Sequence, residues 1–77
     1  MAVVRLFAAA EEAVGADRLD RPESSLGALR AALAADHPAL GAILSRCSLL
    51  VDGSRVDDDT PLPAGAVVDV LPPFAGG

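Results

Sequence analysis

The chain opens on an alternating stretch, Val3-Val4-Arg5-Leu6-Phe7, which puts Val4 and Leu6 on one face and Arg5 and Phe7 on the other. Such β-formers at a period of two predict a first strand. The period then lengthens. Ala8 to Val14 is alanine-rich, carries Glu11 and Glu12 and stops at Gly15, the pattern of a short helix closed by glycine. Asp17 to Arg21 is mostly polar around Leu19 and reads as an edge strand. Past Pro22, either Ser24 or Ser25 is placed to cap a helix whose Leu26, Leu29 and Leu33 form a buried stripe, and Asp36-His37-Pro38 ends it. Leu40, Ile43 and Leu44 repeat that spacing for one or two turns only.

From Ser48 the period returns to two. Leu49-Leu50-Val51 and Arg55-Val56 flank Asp52-Gly53, a pair suited to the positive φ angles of a tight hairpin. Turn-forming residues fill Asp57 to Gly65, and Ala66 to Leu71 predicts the last strand. One main helix packed across one face of a mixed sheet is an α+β arrangement, and the β-grasp fold fits this order. In that fold the first and last strands run parallel and adjacent. Val4, Leu6, Val68 and Val70 then face the helix, and Arg5, Phe7, Asp69 and Leu71 face outward. An exposed Arg5 to Asp69 pair follows, contributing less than about 1 kcal/mol.

The 77 residues fit one domain, 1–77, with 72–77 expected as a protruding C-terminal tail. An apolar fraction of 52% suffices for a core, although much of it is alanine. The net charge of −5 disfavours nucleic acid and anionic membrane surfaces. All six basic residues are arginine, so no side-chain amine is present to accept an isopeptide bond. A single cysteine and the lack of any long apolar run lead us to expect a reducing, cytoplasmic setting.

Few side chains suggest chemistry. Cys47 is the only thiol and His37 the only imidazole, and a lone cysteine at the start of a strand is far more often a small buried apolar residue than a nucleophile. His37 before Pro38 suits a helix end, where it meets the negative pole of the dipole. Asp57-Asp58-Asp59 lacks the alternate oxygens and distal glutamate of a calcium loop and reads as a solvated turn, so no metal site is expected. Glu11 and Glu12, being adjacent, fall on different helix faces.

The end of the sequence is different. Leu71-Pro72-Pro73-Phe74-Ala75-Gly76-Gly77 combines two prolines that favour an extended backbone, a large apolar group and two residues without a Cβ. Without a Cβ, Gly76 and Gly77 let the backbone thread a passage too narrow for a side chain. The expected reactive group is the carboxylate of Gly77, with Pro72, Pro73, Phe74, Ala75 and Gly76 as the threading segment. Phe7, Leu71 and Phe74 have no core position in the expected fold and form a candidate partner-binding face.

These features together resemble the ubiquitin-like sulfur carriers, and within them the branch of the small subunit of molybdopterin synthase. The resemblance runs from Arg5-Leu6-Phe7-Ala8 through Val51-Asp52-Gly53 and Asp59-Thr60-Pro61-Leu62 to the terminal segment, whose Pro-Pro, apolar, small, Gly-Gly pattern is its specific part. Phe74 departs from it, standing where a smaller β-branched residue is usual. The resemblance implies that an E1-like adenylating enzyme uses ATP and magnesium to convert the Gly77 carboxylate into an acyl adenylate. A sulfur donor then leaves a thiocarboxylate, which the large synthase subunit uses to sulfurate cyclic pyranopterin monophosphate in molybdenum cofactor biosynthesis. It also implies a heterotetramer, no cofactor bound by this chain, and no catalysis by the chain alone. Two alternatives stay open on sequence: a sulfur carrier for cysteine or thiamine biosynthesis, and a ubiquitin-like modifier attached through Gly77.

Overall fold

The computed structural model describes residues 1–73. Its elements are β1 (Ala2–Leu6), α1 (Ala9–Val14), β2 (Arg18–Arg21), α2 (Leu26–Asp36), α3 (Pro38–Leu44), β3 (Ser48–Val51), β4 (Ser54–Arg55) and β5 (Val67–Leu71). The sheet order is β2-β1-β5-β3-β4. The central pair β1 and β5 is parallel, with Val4 beside Val68 and Leu6 beside Val70, and the other pairings are antiparallel. This is the β-grasp fold expected from the element order.

Alternation decides which side chains are inside. Val4, Leu6, Leu49, Val51, Val68 and Val70 point to the buried face and share one cluster with Leu26, Leu29, Leu33, Leu40 and Leu44 of the helices. Burying a side chain of this size is worth about 1.5–3 kcal/mol, so this cluster is the main source of stability.

Local chemistry fixes the ends of the elements. Ser25 caps α2, its Oγ accepting from the Ala28 N–H at 3.2 Å. Loop carbonyls take the two preceding donors, Thr60 from Leu26 at 3.0 Å and Asp58 from Gly27 at 2.8 Å. The first turn of α2 is thus satisfied by a cap and by the Asp57–Thr60 turn. Pro38 starts α3, where a missing N–H costs nothing. Asp52 (φ 49°) and Gly53 (φ 85°) make the expected two-residue hairpin turn, and Asp52 Oδ1 also accepts from the Val67 N–H at 3.0 Å.

Strands β2 and β5 and helix α1 each begin one residue later than the sequence reading put them, at Arg18, Val67 and Ala9, and three further boundaries differ for identifiable reasons. Strand β1 ends at Leu6 rather than Phe7, because the backbone turns at Ala8, which takes φ 50°. The second hairpin strand is Ser54–Arg55 rather than Arg55–Val56, since the two-residue turn pairs Val51 with Ser54 and Leu50 with Arg55, and Val56 is exposed beyond it. Pro72, counted with the tail, is buried, and Pro73 is the first exposed residue after β5.

Candidate functional site

The C-terminal end of β5 is held on both sides. Leu71 pairs with Ser48 at the start of β3, and the Phe7 N–H donates to the Val70 carbonyl at 3.3 Å. Phe7 and Leu71 therefore lie at the same end of neighbouring strands, where the chain leaves the sheet. Phe7 is 38% exposed and Leu71 half-buried. Next to them, Arg5 and Asp69 form the expected pair, a two-point contact whose Nη2 to Oδ2 arm is 2.8 Å, with the Arg5 side chain 55% exposed. The Asp69 carboxylate, by hydrogen bond and charge, raises the Arg5 pKa further above its usual value. The Arg5 guanidinium also lies 5.9 Å from the centre of the Phe7 ring, within cation–π range. The exit is thus an apolar patch with a neutralised ion pair behind it.

Phe74, Ala75, Gly76 and Gly77 lie outside the described residues. The described chain ends with β5, which pairs in parallel with β1, then a buried Pro72 and an exposed Pro73.

The thiol and imidazole are not brought together as a catalytic pair. Cys47 is half-buried against the core and its Sγ donates to the Ile43 carbonyl at 3.4 Å. Burial pushes its pKa up, with the charge of Arg30 opposing, so the thiol is protonated at neutral pH. His37 sits between α2 and α3; its N–H donates to the Leu33 carbonyl and its own carbonyl accepts from Gly41. Both residues serve the architecture. Asp58 of the acidic run pairs with Arg30 at 3.3 Å, and among the described residues no group of acidic, histidine or cysteine side chains is arranged to hold a metal.

Sequence reasoning missed a basic pocket beside this exit. Arg30 of α2, Arg46 of the turn after α3 and Arg55 of β4 line an opening of about 340 Å³ together with Cys47 and Ser48. Nothing in their spacing, 30, 46 and 55, signals that they meet. It also missed that Arg21, beyond its contacts of 2.9 Å to Glu23, reaches Asp36 at 2.9 Å and so ties the end of β2 to the end of α2.

Set beside known proteins, the chain matches the ThiS family model over residues 4–77, nearly its whole length and including the terminal glycines. The chain belongs to the ThiS family. It is a ubiquitin-like sulfur carrier, as the terminal motif implied. A complex of subunits 1 and 2 of molybdopterin-converting factor from Helicobacter pylori contains a similar chain, 28% identical, covering 99% of this chain and 97% of that one at a TM-score of 0.75. SAMP1 from Haloferax volcanii is 25% identical over 99% of this chain and 98% of its own, with a TM-score of 0.82. The small archaeal modifier protein 1 of Methanosarcina acetivorans, 22% identical, shares the fold at a TM-score of 0.87, with 99% and 95% of the two chains covered. Compared with curated protein sequences, the chain has no match. Among the described residues, no helix is long and apolar enough to cross a membrane.

Proposed function

We propose that this chain is the sulfur-carrier subunit of a cytoplasmic molybdopterin synthase, with the Gly77 carboxylate as the group that is activated and loaded. The observation that carries this reading is the family match running through Gly76 and Gly77, together with the similarity to a chain in a converting-factor complex of subunits 1 and 2. A carboxylate with an ordinary pKa near 3.5 is anionic at neutral pH and a poor electrophile, so it requires activation. An E1-like enzyme supplies it with ATP and magnesium. The carboxylate oxygen attacks the α-phosphorus, pyrophosphate leaves, and a sulfur donor displaces AMP to give the thiocarboxylate.

The fold supports the division of labour. Pro73 to Gly77 spans at most about 17 Å, enough to cross a partner's wall while the globular body stays outside. Phe7 and Leu71 at the exit, continued by Phe74, then seat the body on the large subunit in a heterotetramer, and the acids and bases of sulfur transfer come from that subunit. Incubation with the activating enzyme, ATP and a sulfur source is expected to raise the intact mass by about 16 Da, the replacement of one oxygen by sulfur. An unchanged mass with an enzyme that loads another carrier refutes the reading.

The similarity to SAMP1 favours a second reading, attachment of Gly77 to a lysine of another protein. It is separated by immunoblot of cell extract: heavier covalent species mark a modifier, and one free band marks a carrier.

A further inference from the structure

Three of the six arginines of this acidic chain converge on one small opening. It is lined by Arg30, Arg46 and Arg55 and by no acidic residue. Arg55 is held there by donating from Nη2 to Ser48 Oγ at 2.9 Å, and Arg30 shares its charge with Asp58 at the rim. Arg46 and Arg55 are exposed and meet no carboxylate among the described residues, whereas Arg5, Arg18, Arg21 and Arg30 all do. Two guanidiniums that meet no carboxylate among the described residues thus lie in one place.

That place adjoins the exit of the chain end. Ser48, which holds Arg55, is the register partner of Leu71, and Cys47 and Arg46 precede it along the edge where Pro72 and Pro73 leave the sheet. On the reading that the chain end enters a partner, that partner is expected to lie across this edge. Covering two unpaired guanidiniums with an apolar or basic surface is strongly unfavourable, while carboxylates placed opposite them speed the encounter and fix its orientation.

We propose that the Arg30, Arg46 and Arg55 pocket is a dock for an acidic surface of the large synthase subunit: that subunit carries carboxylates beside the opening that takes the Gly77 end, and these seat on Arg46 and Arg55. The arrangement gives an otherwise negative molecule a positive bearing at the point where alignment of the tail matters. It rests on the reading that the end enters a partner, and it extends that reading to the chemistry of the partner's rim.

The test is the association rate of the full chain with the purified large synthase subunit, measured across a range of salt concentrations. The variants R46A and R55A are each expected to slow association by at least about fivefold at low ionic strength and to flatten the salt dependence, while R18A, which removes the same charge from the far edge strand, leaves both unchanged. Thermal melts confirm that the variants fold. Equal rates and salt slopes for R46A, R55A and the parent chain overturn the proposal, as does absence of binding. A saturable shift of the Arg46 to Ser48 amide resonances on titrating inorganic phosphate into the isolated chain also overturns it, assigning the pocket to a small anion. Arginine-dependent binding without any gain of sulfur leaves the dock standing and refutes only the carrier chemistry.

Discussion

Replacing Phe7 by alanine separates the role of the exit face from that of the core. Phe7 lies beyond β1, 38% exposed, with the Arg5 guanidinium over its ring. A phenylalanine side chain presents about 200 Å², so the exposed part is about 75 Å². Covering that area in an interface is worth about 2 kcal/mol at about 25 cal/mol per Å². Phe7→Ala is therefore expected to weaken binding to the large synthase subunit about 25-fold. The buried part is lost as well, and scaling the cost of a fully buried Phe→Ala change gives about 2 kcal/mol of stability, which leaves a cooperative fold at room temperature. The assay is calorimetric titration of the folded variant, with its melting curve recorded alongside. A dissociation constant within threefold of the parent value, in a variant destabilised as expected, refutes the assignment of Phe7 to the interface and makes it a side chain that packs locally.

Gly41→Ala tests the contact between α2 and α3. An added Cβ would lie 3.1 Å from the Ala34 carbonyl oxygen and 3.2 Å from its Cα, both backbone atoms that cannot swing aside, so a loss of about 1–2 kcal/mol is expected in urea unfolding despite alanine's higher helix propensity. Glu23 tests pH dependence. Hydrogen bonds from Arg21 hold its carboxyl below the usual range, against the opposing effect of burial, and the two side chains are only 16% and 19% exposed. Its contribution, about 1 kcal/mol, is therefore present above the ordinary glutamate pKa and disappears as pH falls through the lowered folded value. Glu23→Gln should be less stable than the parent at pH 7, with the gap closing toward pH 3 in melts of both; a gap that does not change with pH contradicts the assignment. Cys47→Ala should leave sulfur loading intact and cost about 1 kcal/mol or less of stability, since the thiol is a half-buried protonated group. Loss of loading in that variant, read by intact mass, shows that the thiol is chemically engaged.

Much of the architecture is visible in local pattern because its causes are local. The apolar stripe of α2, its serine cap, the stop at Pro38 and the Asp52-Gly53 turn each follow from residues within a few positions of one another, and all four are present. The pairing of Arg5 with Asp69 was also legible, since alternation puts both on the outer face once β1 and β5 are adjacent. Boundaries were less so. Alternation continues through Phe7, yet the positive φ at Ala8 ends the strand earlier, and a two-residue turn pulls Ser54 into pairing ahead of Val56.

The sequence by itself determined the kinds of element, their order, the inward-facing residues and the character of the terminal segment, because periodicity and turn chemistry act over a few residues. Tertiary structure alone decided that Pro72 belongs to the body, that Arg21 joins β2 to the end of α2, and that arginines from a helix, a turn and an edge strand surround one opening next to the exit. Charges far apart in the chain meet only when burial of the shared core fixes the elements that carry them, and no spacing along the sequence encodes that closure.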